Sequence, residues 1–169
     1  MQLEFTGSYY KRSSAYPNGS RPRNVPPGER ELLELNPDRL DRIRAATGWS
    51  SMERGSLNLA VSPADFAALL SLAPALIEPA VLIRYPSPHE WIPVDRAEYR
   101  YYLATASFGD KSHAVLARRA KTPAPNSFPV ELFATENLSK YFDLEVGDII
   151  RVRVRSAPTT SATNTMPPA

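Results

Sequence analysis

The stretch YRYYLATASFGDKSHAVLARR, from Tyr99 to Arg119, carries the strongest β signal in the chain. Tyr99 to Ser107 reads as a strand, Phe108-Gly109-Asp110-Lys111 as a turn, and Ser112 to Arg119 as its hairpin partner. Working outward, Val130-Glu131-Leu132-Phe133 predicts another strand, and Glu136 to Tyr141 one or two helical turns. Ile149 to Val154 predicts a closing strand, with Ile150, Val152 and Val154 alternating against arginines. Upstream, Leu3, Phe5 and Tyr9 alternate with polar residues, as do Leu57, Leu59 and Val61 within Gly55 to Val61. Ala80-Val81-Leu82-Ile83 predicts a short buried strand that ends at Tyr85-Pro86-Ser87-Pro88.

Two helices are also expected. Asn36-Pro37 offers an N-cap followed by proline, and Leu40 and Ile43 fit a short helix ending before Gly48. Ser62-Pro63-Ala64-Asp65 caps a second, with Phe66, Leu69, Leu70 and Leu72 on one face. The expected class is mainly β: a small barrel with two or three short helices. The expected domain is residues 1–155, with a basic, proline-rich loop at about 11–30 and a disordered tail over 156–169.

Composition narrows the function. The chain has 169 residues, which suits one domain. Its 17 prolines exclude a mostly long-helical fold. Cysteine is absent, so disulfides and thiolate chemistry are excluded. No apolar run approaches a membrane span, and the N-terminus lacks a secretory pattern, so a cytoplasmic location is expected. The net charge of +2 is too balanced to argue for nucleic acid by itself.

Few motifs carry chemistry. His89 and His113 lie far apart and read as structural or surface histidines. The usual phosphate-binding glycine motifs are missing. Arg118-Arg119-Lys121 reads either as a phosphate site or as a solvated strand end. In Gly55-Ser56-Leu57-Asn58-Leu59, a hydroxyl and a carboxamide at i and i+2 share one strand face. Such hard oxygens suit Mg²⁺ completed by phosphate, and equally suit an ordinary polar strand face.

Three segments in order resemble the archaeal CTP-dependent riboflavin kinases. Gly55-Ser56-Leu57-Asn58-Leu59 is similar to that family's GTLN motif. Lys121-Thr122-Pro123 followed by Val130-Glu131-Leu132-Phe133-Ala134 is similar to its KT…(V/I)E-I-I-A-P portion. Leu138 to Ile150, with Gly147-Asp148, is similar to its closing segment. The resemblance covers about Asn36 to Val154. It implies a six-stranded cradle-loop (RIFT-type) barrel that transfers the γ-phosphate of CTP to the 5′-hydroxyl of riboflavin, giving FMN.

Carried over by resemblance, Ser56 and Asn58 would ligate the Mg²⁺ of the nucleotide. Glu131 would lie near the flavin or its reacting hydroxyl, and Lys121 and Thr122 would line the cleft. Gly55 would let backbone approach the ligand. The family's opening G-x-G-x-G turn is represented only by Gly7. Lys11 and Arg12 are the expected substitutes, holding phosphate by side chains. A monomer is expected, with riboflavin or a related small alcohol as substrate. Two alternatives stand beside this one. One is a non-catalytic flavin- or nucleotide-binding barrel. The other is a nucleic-acid-binding barrel using Lys11, Arg12, Arg21 and Arg23. Tyr99 and Tyr101 share a strand face and read as packing residues, with flavin stacking as the alternative.

Overall fold

A computed structural model describes residues 2–11, 37–53, 55–79, 81–85, 92–96, 98–123 and 125–156. The strands are β1 (Gln2–Tyr10), β2 (Leu57–Val61), β3 (Leu76–Glu78), β4 (Val81–Tyr85), β5 (Ile92–Arg96), β6 (Tyr99–Phe108), β7 (Lys111–Ala120), β8 (Pro129–Phe133) and β9 (Ile149–Arg155). The helices are α1 (Pro37–Thr47), α2 (Pro63–Ala68) and α3 (Leu138–Phe142), and a single 3₁₀ turn covers Leu69–Ser71. Among the described residues no helix is long and apolar enough to cross a membrane.

The main sheet runs β3-β6-β7-β8-β2-β1-β9, and β9 also pairs with β6. Six strands therefore close into an antiparallel barrel, and β3 remains outside it. Closure leaves no free edge within the ring. The long strand β6 makes this possible. Ala104 to Ser107 pair with β9, whereas Tyr99 to Tyr101 pair with β3 on the same edge. Strands β6, β7 and β8 follow as antiparallel neighbours, and β9 returns through α3 to lie beside β6, which is a Greek key. The expected strand at Ala80–Ile83 forms as β4, but it pairs with β5 in a separate hairpin and takes no part in the barrel.

Local chemistry accounts for the turns. Phe108 and Lys111 pair across Gly109-Asp110, and Gly109 takes φ +60°, as a two-residue hairpin with glycine first requires. The Ser62 hydroxyl accepts from the Asp65 N–H at 3.0 Å and starts α2. Asn137 does the same for α3, accepting from the Lys140 N–H at 3.1 Å. Gly147, at φ +100°, lets the chain turn into β9, and its N–H reaches the Tyr9 carbonyl at 2.8 Å.

Two cores flank the sheet. The barrel interior holds Phe5, Leu59, Phe66, Tyr102, Val130, Phe142 and Val152 among others. Ile43 of α1 covers the outer face, packing with Tyr101, Leu116 and Phe133, joined by Trp49 and Met52. Val115 to Arg119 are consequently buried on both faces of β7. Tyr99 and Tyr101 pack as expected: Tyr101 belongs to this outer cluster and the partly buried Tyr99 packs against it.

Gly7 faces the barrel interior. A Cβ there would sit 2.8 Å from the Leu59 Cβ and 3.0 Å from Val61 Cγ1. Close approach of β1 to β2 thus accounts for the glycine. Gly7→Ala is expected to destabilise the protein by about 1–3 kcal/mol, because a Cβ fixed to the backbone cannot rotate away. The urea unfolding midpoint measures this, and an unchanged midpoint would contradict it.

Candidate functional site

Strand register builds a single row of side chains across the outer face of the barrel. Tyr101 pairs with Arg118, Arg118 with Glu131, Glu131 with Asn58, and Asn58 with Tyr10. Directly opposed residues on one face lie within side-chain reach. Arg118 donates from Nη2 to Glu131 Oε2. Its side chain is 2% exposed and that of Glu131 is 14% exposed. The guanidinium carbon lies 4.4 Å from the centre of the Tyr99 ring, 5.1 Å from Phe133 and 6.0 Å from Tyr101. Three aromatic rings therefore surround the cation.

The row continues into a second buried ion pair. Arg39 of α1 donates from Nε to Glu78 Oε2 at 2.8 Å and also bonds Glu78 through Nη2. The Tyr101 hydroxyl donates to the same Glu78 Oε2 at 2.9 Å. Burial pushes the Tyr101 phenol well above its ordinary range, so it remains a donor. Helix α1 is in this way anchored to β3 and β6 by a forked contact as well as by Ile43.

Beside Glu131 opens a cleft of about 460 Å³. Tyr10, Asn58, Tyr99, Arg118, Thr122 and Glu131 line it, with Phe66 and Ser127 further along. Its size falls in the usual range for small-molecule sites. The aromatic rings supply apolar wall, and Asn58, Thr122 and Glu131 supply oxygen atoms. Arg119 closes one end. Its guanidinium stacks 3.5 Å over the Phe66 ring and donates to the carbonyls of Phe66, Ala120 and Lys121. These donors serve the protein's own backbone and tie α2 to the end of β7.

The structure thus brings together Asn58, Glu131 and Thr122. It separates Ser56 and Gly55 from them, because β2 begins only at Leu57 and both residues precede it. They line a smaller cavity of about 70 Å³, with Tyr9, Glu53 and Glu136. Lys121 is exposed beside the cleft and lies 3.6 Å from the Glu98 carboxylate. Lys11 is exposed just past the end of β1. Arg12, Arg21, Arg23, His89 and the tail from 157 onward lie outside the described residues. His113 bonds its neighbour's carbonyl at 2.7 Å and meets the Tyr141 ring edge-on, a structural arrangement.

One expectation is corrected. Arg118 and Arg119 do not form a solvated strand end: both are among the largest fully buried side chains. Isolated cations are rarely buried, so sequence order alone pointed outward. The available signal was Glu131, a carboxylate set in the apolar run Val130-Glu131-Leu132-Phe133, which demands a cation from a neighbouring strand.

Asn58, Thr122 and Glu131 have the hard-oxygen chemistry that Mg²⁺ prefers. Among the described residues no cluster of three or more His, Cys, Asp or Glu is assembled. No protein-family model matches the chain, and no curated protein matches it.

Proposed function

We propose that the protein is a riboflavin kinase-like phosphotransferase, moving the γ-phosphate of a nucleoside triphosphate, CTP by resemblance, to the 5′-hydroxyl of riboflavin. The single observation that carries this reading is the cleft shared by Asn58, Glu131 and Thr122. These are three residues of two separate family-like segments, more than sixty positions apart in the chain, and they line one wall.

In the proposed reaction the riboflavin oxygen bonds the γ-phosphorus as the bond to the nucleoside diphosphate oxygen breaks. Mg²⁺ entering with the nucleotide would neutralise charge on the phosphates. Asn58 would offer that ion a carboxamide oxygen, with phosphate oxygens as its other partners. Glu131 would orient the hydroxyl and take its proton. Tyr10 and Tyr99 line the cleft that a planar substrate would enter. Of the two expected ligands, Asn58 fits the ion; Ser56, in the separate cavity, supplies nothing to it in this arrangement.

Riboflavin fluorescence titration, with Mg²⁺ and each of CTP, ATP and GTP, tests the reading. Saturable binding and FMN formation are expected. Glu131→Gln is expected to lower turnover by roughly 10²- to 10⁴-fold while changing riboflavin affinity far less. Equal losses in both would remove Glu131 from this role. A second reading, a barrel that binds flavin or nucleotide without turnover, is favoured by the separation of Ser56 from Asn58 and by the packing role of Gly7. Binding without FMN would select it.

A further inference from the structure

We infer that Arg118 is a positioning residue, whose guanidinium holds the Glu131 carboxylate at the cleft wall, and that Tyr99, Tyr101 and Phe133 lock that guanidinium in place. The kinetic part of this inference rests on the phosphotransferase reading; the geometric part stands without it.

Three observations converge. Register sets Arg118 directly opposite Glu131, so the pair is built into the sheet and does not depend on a loop. The arginine is the more deeply buried partner, at 2% against 14% for Glu131. A cation withdrawn from water this far needs a close counter-charge, and the carboxylate supplies it. Finally, three rings enclose the guanidinium, with Tyr99 nearest at 4.4 Å. Solvated ion pairs sample many geometries, and this one is confined on every side that the rings occupy. The carboxylate that lines the cleft is therefore held by a group that is itself held. A planar, stacked guanidinium does this, and a lysine ammonium on a flexible stem does not.

The test compares wild type with Arg118→Lys and with a closed cycle made of the singles Arg118→Met and Glu131→Gln and their double variant Arg118→Met/Glu131→Gln. Arg118→Lys keeps the charge and guards against loss of the fold, which thermal unfolding monitors. It is expected to lower kcat roughly 10- to 100-fold with riboflavin KM nearly unchanged, as small misplacements of a reacting group do. The double variant is expected to be no slower than Glu131→Gln alone, because Arg118 acts only through Glu131. A double variant whose loss equals the product of the two single losses would overturn the inference. An activity-independent readout accompanies it: the Glu131 carboxyl ¹³C resonance. It is expected to be single and sharp in wild type, and shifted or broadened in Arg118→Lys. An unchanged resonance would overturn the positioning claim even in a protein that makes FMN. A wild type that makes no FMN, yet shows the spectral change, would sink the kinase reading and leave the positioning claim intact.

Discussion

Asn58→Ala is expected to weaken the proposed Mg²⁺–CTP binding by about 100-fold and to leave the fold intact. The reasoning starts from strand alternation. Leu57 and Leu59 point into the barrel and are fully buried, so Asn58 between them faces the cleft. Truncating it removes a carboxamide and no core methylene. Asn58 is only partly buried, and its neighbours in register are Tyr10 and Glu131. Loss of a ligand to a charged group costs about 1.5–3 kcal/mol, and a contact to a divalent ion belongs at the upper end, about 100-fold in affinity. Calorimetric titration with Mg²⁺–CTP measures the affinity, and the urea midpoint checks that stability is unchanged. An affinity within threefold of wild type would take Asn58 out of the site.

Glu78→Gln is the second large effect, and it acts on stability. The Arg39–Glu78 pair is almost fully buried, with side-chain exposures of 4% and 8%. Gln keeps the shape but removes the charge facing the Arg39 guanidinium. Removing one partner of a buried pair typically costs about 3–5 kcal/mol. The Tyr101 hydroxyl also loses a charged acceptor. At this chain length such a loss lowers Tm by about 10 °C. Replacing both partners at once, as Arg39→Met with Glu78→Leu, is expected to recover most of it, since no unpaired charge is then left. Urea unfolding measures all three proteins. A loss below about 1 kcal/mol for Glu78→Gln would show that the pair does not anchor α1.

Much of this architecture was legible in the sequence, for reasons that can be named. The β6–β7 hairpin declared itself through a Gly-Asp turn between two long apolar runs. Ser62 marked α2 by local capping chemistry. The alternation in Ile150, Val152 and Val154 placed β9 with one face inward, as found. Each of these signals acts over a few residues. Strand β3 escaped because only Ala75-Leu76-Ile77-Glu78 lies between Pro74 and Pro79. Strand β5 escaped because it contains Pro93, which is tolerated only where no ladder bond is needed.

The site was less legible, because its organisation is lateral. Tyr101, Arg118, Glu131, Asn58 and Tyr10 sit on five different strands, and only register makes them a row. Burial of Arg39, Arg118 and Arg119 followed the same logic. Their partners are Glu78, Glu131 and the carbonyl of Phe66, which are distant or unremarkable in the chain. Ser56 and Asn58, by contrast, looked like one face at spacing i and i+2. That inference assumed a strand reaching back to Gly55, and β2 begins two residues later.

Phosphoryl transfer to riboflavin in this cleft is the proposed activity. Its most direct test is chromatographic: purified protein is incubated with riboflavin, Mg²⁺ and CTP, and FMN is quantified against a reaction with Asn58→Ala. FMN from wild type, and at least about 100-fold less from the variant, is the predicted result. No FMN with CTP, ATP or GTP would contradict it, whether or not riboflavin binds.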